Sequence, residues 1–281
     1  MMDEPAFIRY LASKKTVDDR ALNQRVWRAM TALLEGGRPN VLELGAGTGT
    51  MVERAVSGAG GIQPRAWTLV DSQAGLLAEA RRRLEGRVPF ELRYVTADAQ
   101  EYISTTEDRF GLVAAHAFID LFDLESLVPG IVRLAEAGGC ALFTVCFDGL
   151  SAWEPQVDRE LDARIVELYH RTMDERVTAG RPSGDSRSGR HLLTLLPRLG
   201  HRVVEAGASD WVVYPRDGAY PADERFFLSC ILGFFQESLC GRPELERAEL
   251  DRWLSARRAQ LEAGELVFIA HQLDVLAAAG P

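Results

Sequence analysis

Apolar positions recur along this chain with two periods, and their alternation outlines the fold before any single residue is considered. Phe7, Ile8 and Leu11, then Ala21, Leu22, Val26, Trp27, Met30 and Leu33, follow helical spacing. They predict two helices within residues 5–38, the second starting at Thr16–Asp19, where acids fill a first turn. From residue 39 short apolar runs of strand length take over, at 39–44, 66–70, 91–96, 110–115 and 140–147. Segments with helical spacing fall between them at 50–56, 72–84 and 124–137, the last read as ending at the glycine stop Gly138-Gly139. Strands alternating with helices in this way predict a doubly wound, mostly parallel α/β sheet.

Beyond residue 148 the pattern loosens. Residues 149–186 contain Trp153, a helix expected from about Val157 to Val177, and a Gly/Pro/Ser-rich loop at 180–186. A loop of that composition beside a helix is a candidate substrate cover, with Trp153, Tyr169, His170 and Met173 as candidate lining; the alternative for these side chains is ordinary core. A helix at 188–199, a sixth strand within 201–214 broken near Gly207, helices at 222–239 and 244–263, and a last strand from Glu265 complete the chain. Phe226, Phe227, Ile231, Phe234 and Phe235 crowd the late helical pair, as core or as the wall of an apolar pocket or dimer contact.

The chemistry concentrates in Val41-Leu-Glu-Leu-Gly-Ala-Gly-Thr-Gly-Thr50, where the first strand runs through a turn into the first helix. Gly45, Gly47 and Gly49 let the backbone take positive φ and let a ligand lie against the main chain. The Gly-x-Gly-x-Gly spacing differs from the dinucleotide fingerprint Gly-x-Gly-x-x-Gly, and no Gly-Lys-Ser/Thr follows that would cradle a triphosphate. Glu43, two residues before the first glycine, suits a ligand bearing an ammonium or sulfonium better than a pyrophosphate. Together these residues resemble motif I of the class I, Rossmann-like S-adenosylmethionine-dependent methyltransferases. The resemblance covers residues 39–148 by motif and the remainder by topology.

The resemblance implies a seven-stranded sheet with the last strand antiparallel, N-terminal helices, and helical insertions after strands five and six. It implies a single domain over 1–281: a helical lid at 5–38, a cofactor core at 39–148, a cover at 149–186, and a C-terminal part at 187–281 containing the inserted pair 222–263. S-adenosyl-L-methionine is then the cofactor, held by the turn Gly45, Ala46, Gly47, Thr48 and Gly49 together with Glu43. Asp71, an acid at a strand end past the glycines, fits a ribose diol, with Ser72 beside it; a helix N-cap is its alternative role. In this family an acid after the third strand meets adenine, which assigns Asp98 between the small residues Ala97 and Ala99. Ala115 and His116 end the fourth strand, beside the transferable methyl in the family, and Tyr10, Lys14 or Arg20 of the lid are candidates for the methionine carboxylate.

Methyl transfer from a sulfonium is an in-line displacement that gains most from orientation and desolvation, so few catalytic groups are required. His116 and Asp120 are the candidate bases, and packing against the cofactor is the alternative for His116. The Asn/Asp-Pro-Pro-Tyr signature of enzymes that methylate exocyclic or amide nitrogens is absent. The expected reaction is methyl transfer to an O- or N-nucleophile of a small molecule. Two alternatives use the same cofactor: intramolecular cyclisation of its aminobutyl portion, and a non-catalytic cofactor-binding module.

Composition narrows partners more than chemistry. A net charge of -9 and a pI near 5.2 argue against nucleic-acid and anionic-membrane surfaces. Neither a basic-then-apolar leader nor an apolar run of about 20 residues occurs, so a cytoplasmic protein is expected, with a homodimer as one possible assembly. Cys140, Cys146, Cys230 and Cys240 lack zinc or Cys-x-x-Cys spacing, and no metal is implied.

Overall fold

The computed structural model describes residues 2–57, 61–178 and 180–279, so the expected 1–281 domain and its 149–186 segment each include positions outside the described residues. Helix α1 (Glu4–Ala21) starts where the Asp3 carboxylate accepts the Ala6 N–H at 2.9 Å, with Pro5 in its first turn. It runs straight through Thr16–Asp19. The break comes at Leu22-Asn23, because the Asn23 side chain accepts the Arg25 and Val26 N–H groups and so begins α2 (Gln24–Leu33). A helix start therefore lies at Asn23, and the acids expected to mark it sit in the last turn of α1 as ion-pair partners.

The alternating core follows the predicted order: β1 (Asn40–Leu44), α3 (Thr50–Ser57), β2 (Ala66–Asp71), α4 (Ala74–Leu84), β3 (Glu91–Thr96), α5 (Ala99–Thr105), β4 (Phe110–His116), α6 (Leu124–Arg133) and β5 (Ala135–Glu154). Their parallel pairing places β1 between β2 and β4, with β3 outermost and β5 beyond β4. Helix α6 stops at Arg133, before Gly138-Gly139, which belong to β5. A Cβ on Gly139 would stand 2.9 Å from the Gly111 carbonyl, so that glycine serves close strand approach.

β5 is far longer than the predicted 140–147. A kink at Val145, whose φ is +56, is fixed by its N–H donating to the buried Asp274 carboxylate at 2.7 Å, and the strand then continues to Glu154. Its partner is the antiparallel β10 (Val267–Ala278), which also pairs with β8 (Arg202–Ala208) and β9 (Trp211–Val213). The expected sixth strand is thus two strands, and among the described residues the sheet has eight strands where seven were expected. The break falls at Ser209-Asp210, past Gly207, because the Ser209 N–H bonds the Gln272 carbonyl and the Asp210 carboxylate takes the His271 ring.

The remaining elements are α7 (Arg159–Asp174), the two-residue hairpin strands β6 (Val177–Thr178) and β7 (Arg181–Pro182), α8 (Ser188–Arg198), α9 (Glu224–Leu239) and α10 (Arg247–Ala263). Helices α7, α9 and α10 pack on the outer reach of β5 and β10 and build a second apolar core around Trp153, Phe227, Phe235, Trp253 and Phe268. That core abuts α1 through Tyr10 and Val17, which carries the N-terminal helix across the strand ends.

Candidate active site

The carboxyl ends of β1 to β4 open into one cavity of about 550 Å³, at the point where the strand order reverses between β1 and β4. Its far wall comes from α1, α7, α9 and β10. The glycine turn forms its floor. Gly45 has φ +66, and a Cβ there would collide with the Phe118 ring, so only glycine permits the turn that follows β4 to close against it.

The side of the cavity nearest the glycines carries most of the residues singled out for cofactor. Glu43, Gly45, Ala46, Gly47, Thr48, Asp71, Ser72, Ala97, Asp98, Ala99, His116 and Tyr10 all border it. Asp71 accepts the Gly47 N–H and the Gln73 N–H, each at 2.9 Å, so one carboxylate ties the turn to the start of α4. Burial raises its pKa, opposed by those two hydrogen bonds. Asp98 caps α5 by accepting the Gln100 and Glu101 N–H groups. Glu43 accepts the Trp67 Nε1–H at 2.9 Å, and burial pushes its carboxyl up to about 8. A cation brought beside such an acid would restore its charge.

Two of the expected cofactor residues stand elsewhere. Gly49 does not border the cavity: a Cβ on it would meet Leu84 Cδ1 at 2.6 Å, so it allows α3 to pack on α4. Ala115 is buried in the sheet's core, because its side chain points to the opposite face from that of His116.

His116 belongs to a buried charge cluster that joins α1, α3 and β4. Lys14 Nζ donates to Asp18 Oδ2 at 2.7 Å and the Trp211 indole donates to Asp18 Oδ1 at 2.9 Å. His116 Nε2 stands 3.0 Å from Asp18 Oδ2 and 3.1 Å from Arg54 Nη1, while its Nδ1 stands 2.8 Å from Thr144 Oγ1. Arg54 also donates to Asp19 at 2.6 Å. Burial would raise the Asp18 carboxyl, but Lys14 and then His116 overcome it and hold the group well below the usual carboxylate range. Burial and the Arg54 charge push His116 down to about 4, so the imidazole is neutral near pH 7. Lys14 borders the cavity, whereas Arg20, the other basic candidate in the lid, is spent on the buried Glu224 at 2.5 Å.

The rest of the cavity wall is largely apolar and aromatic, with Phe118, Phe122, Phe147, Tyr169, Phe234 and Met173 on it. Asp120, on the 3-10 turn Ile119–Leu121 after β4, borders the cavity; burial raises its pKa, with a hydrogen bond from its own backbone N–H, then Arg176 and Lys14, opposing. Tyr169 and Met173 border the cavity as expected for lining. Trp153 and His170 do not: Trp153 sits in the second core between Phe235 and Phe268, and His170 bonds Ser151 Oγ at 3.0 Å against the Phe147 ring. The extension of β5 past residue 147 causes both displacements, since it turns Trp153 into a strand residue facing α9 and α10.

Asp18, Arg54, Arg176 and Gln272 are polar site residues that the sequence did not mark. For Gln272 a signal existed, as a lone amide inside the apolar final strand. Among the described residues no group of three or more His, Cys, Asp and Glu side chains has metal-holding geometry.

Residues 41–139 match the sequence profile of the methyltransferase domain family. No curated protein matches the chain. Among solved structures, a candidate methyltransferase from Bacillus halodurans C-125 superposes with a TM-score of 0.55 at 15% identity, covering 92% of this chain and 100% of its own. The S-adenosylmethionine-dependent methyltransferase of Thiobacillus denitrificans, solved with S-adenosyl-L-homocysteine, gives 0.52 at 16% identity, covering 99% of this chain and 100% of its own. YjhP of E. coli gives 0.51 at 17% identity, covering 97% and 99%. At these identities the superpositions speak for the fold, and the profile match speaks for the segment that carries the glycine turn and both strand-end acids. Residues 41–139 are therefore a methyltransferase domain, and the chain as a whole has the fold of the methyltransferases on which it superposes.

Proposed function

We propose that this protein transfers a methyl group from S-adenosylmethionine to an O- or N-nucleophile of a small molecule. The observation that carries the reading is one cavity lined both by carboxylates at successive strand ends and by a set of aromatic side chains. When bound, S-adenosylmethionine supplies an electrophilic methyl group on a sulfonium. Asp71 would hold the ribose hydroxyls, Asp98 with Ala97 and Ala99 the adenine, and Glu43 with Lys14 and Tyr10 the charged methionine end. The donor set fits such a cofactor: a buried acid near a cation, and small residues where a flat ring must lie.

The chain's own part in the reaction is orientation and the exclusion of water. Neutral His116, fixed between Asp18 and Thr144, keeps one wall of the reacting region rigid. Asp120 stands on the acceptor's side as the group able to take a proton. The net charge of -9, together with the absence among the described residues of a helix long and apolar enough to cross a membrane, favours a small molecule over a nucleic acid or lipid bilayer as acceptor. Tyr169 and Met173 support the 149–186 segment as the chamber's cover.

Incubation of the protein with methyl-labelled S-adenosylmethionine, alone and with a library of small alcohols, phenols and amines, tests the reading. Label should move only when an acceptor is present, with S-adenosylhomocysteine as the other product. Methylthioadenosine formed without any acceptor would point instead to cyclisation of the aminobutyl portion.

A further inference from the structure

Most polar groups on the cavity wall are already engaged, which makes the exceptions informative. Asp120 Oδ1 and Gln272 Oε1 are sealed from solvent and have no hydrogen-bond partner among the described residues, yet both residues border the cavity. Gln272 is 2% exposed, in the middle of β10, where an amide carries a desolvation cost unless something answers it. Both orphaned atoms are acceptors. A ligand that completes them must bring N–H or O–H donors.

Charge decides between these. Acidic side chains on the wall outnumber cationic ones, which are Lys14, already paired with Asp18, and Arg176. Asp18 has its charge answered inside the protein by Lys14 and Arg54, and the acids at the strand ends face the cofactor side. Asp120 has no ion pair within bonding reach among the described residues, although Arg176 and Lys14 act on it at longer range. Phe118, Phe147 and Tyr169 line the same cavity, and aromatic faces attract a cation and repel an anion. An ammonium group brings positive charge and several N–H donors at once, and an alcohol brings neither.

We propose that the acceptor is a primary or secondary amine on an apolar body, its ammonium group received by Asp120 and Gln272 within the aromatic chamber. This rests on the methyltransferase reading above and deepens it. The proton balance is simple: the ammonium yields one N–H proton to Asp120 and thence to solvent, the freed nitrogen lone pair forms the N–CH3 bond, and the C–S bond breaks with its electron pair kept by sulfur. The product is an N-methylammonium that retains one positive charge.

Calorimetry on the protein saturated with S-adenosylhomocysteine tests the inference without relying on turnover. The probes are 2-phenylethylamine, tryptamine and hexylamine, each against the alcohol of the same carbon skeleton. At least one amine should bind about tenfold or more tightly than its alcohol, the scale of a hydrogen bond to a charged group. Asp120→Asn should abolish that preference while still binding S-adenosylhomocysteine, which also shows the variant folded. Gln272→Leu should weaken the amine about fivefold or more and serves if the first variant does not fold. Equal binding of amine and alcohol, no binding of any amine, or an undiminished preference in either folded variant overturns the inference and leaves methyl transfer standing. Failure of the wild-type protein to bind S-adenosylhomocysteine at all would overturn both.

Discussion

The two halves of the cavity are built by different means. The half assigned above to the cofactor is made from the ends of β1 to β4, and each of its strand-borne groups stands at or just past a strand end. The half assigned above to the acceptor gathers Asp120 from the turn after β4, Tyr169 and Met173 from α7, Phe234 from α9 and Gln272 from β10. In the first half the main chain positions the site, so local sequence suffices. In the second, packing between elements far apart in the chain positions it, and only the folded molecule brings the groups together. Between them lies the Asp18 cluster, which clamps α1 onto α3 and β4 and so joins one half to the other.

Breaking that clamp should have the largest effect. Asp18→Ala leaves Lys14 and Arg54 buried without their shared partner, and a loss of about 3 to 5 kcal/mol is expected in denaturant unfolding. A change under about 1 kcal/mol would mean that the cluster is solvated and that α1 is not clamped through it.

Acid should loosen the same joint. His116 has its pKa lowered from 6.5 to about 4 in the folded protein, so the unfolded chain takes up the proton first. The stability this contributes is present above pH 6.5 and is lost as pH falls towards 4, by about 2 kcal/mol between pH 7 and 4.5. Raised carboxyls such as Glu43 and Asp120 act in the opposite sense, so the measurement is the difference between the wild-type protein and His116→Asn. The variant should lack that part of the acid sensitivity. Parallel pH profiles would show that His116 is not buried neutral.

On the cofactor side, Asp71→Ala should weaken S-adenosylhomocysteine binding by about 1 to 3 kcal/mol, read by calorimetry. Part of that loss comes through the Gly47 and Gln73 N–H groups that the carboxylate now holds. Unchanged affinity would misplace the ribose. The smallest effect is expected at His170→Ala, which removes a side chain outside the cavity and should leave cofactor affinity within about twofold. A large loss there would mean that α7 reaches the cofactor side after all.

How far the sequence carried differs in the same way between the halves. The alternating core, the glycine turn and the acids Asp71 and Asp98 were readable because each is a local pattern tied to a strand end. Gly49 was readable as a turn glycine, but its contact with Leu84 depends on how α3 meets α4. Trp153 and His170 were misplaced because nothing local announces that β5 continues past a kink at Val145, and that kink is held by Asp274, far along the chain. Asp18 looked like a helix-starting acid because its partners Arg54, His116 and Trp211 lie in three other elements.

Cofactor and acceptor are proposed to share one cavity, the cofactor against the strand ends and the acceptor beyond His116. A structure of the protein with bound S-adenosylhomocysteine tests it most directly. The ribose hydroxyls are expected on Asp71, the adenine beside Asp98, and the sulfur turned towards His116 and the chamber of Asp120 and Gln272. A ligand bound with its sulfur facing away from that chamber, or outside the glycine turn altogether, would contradict it.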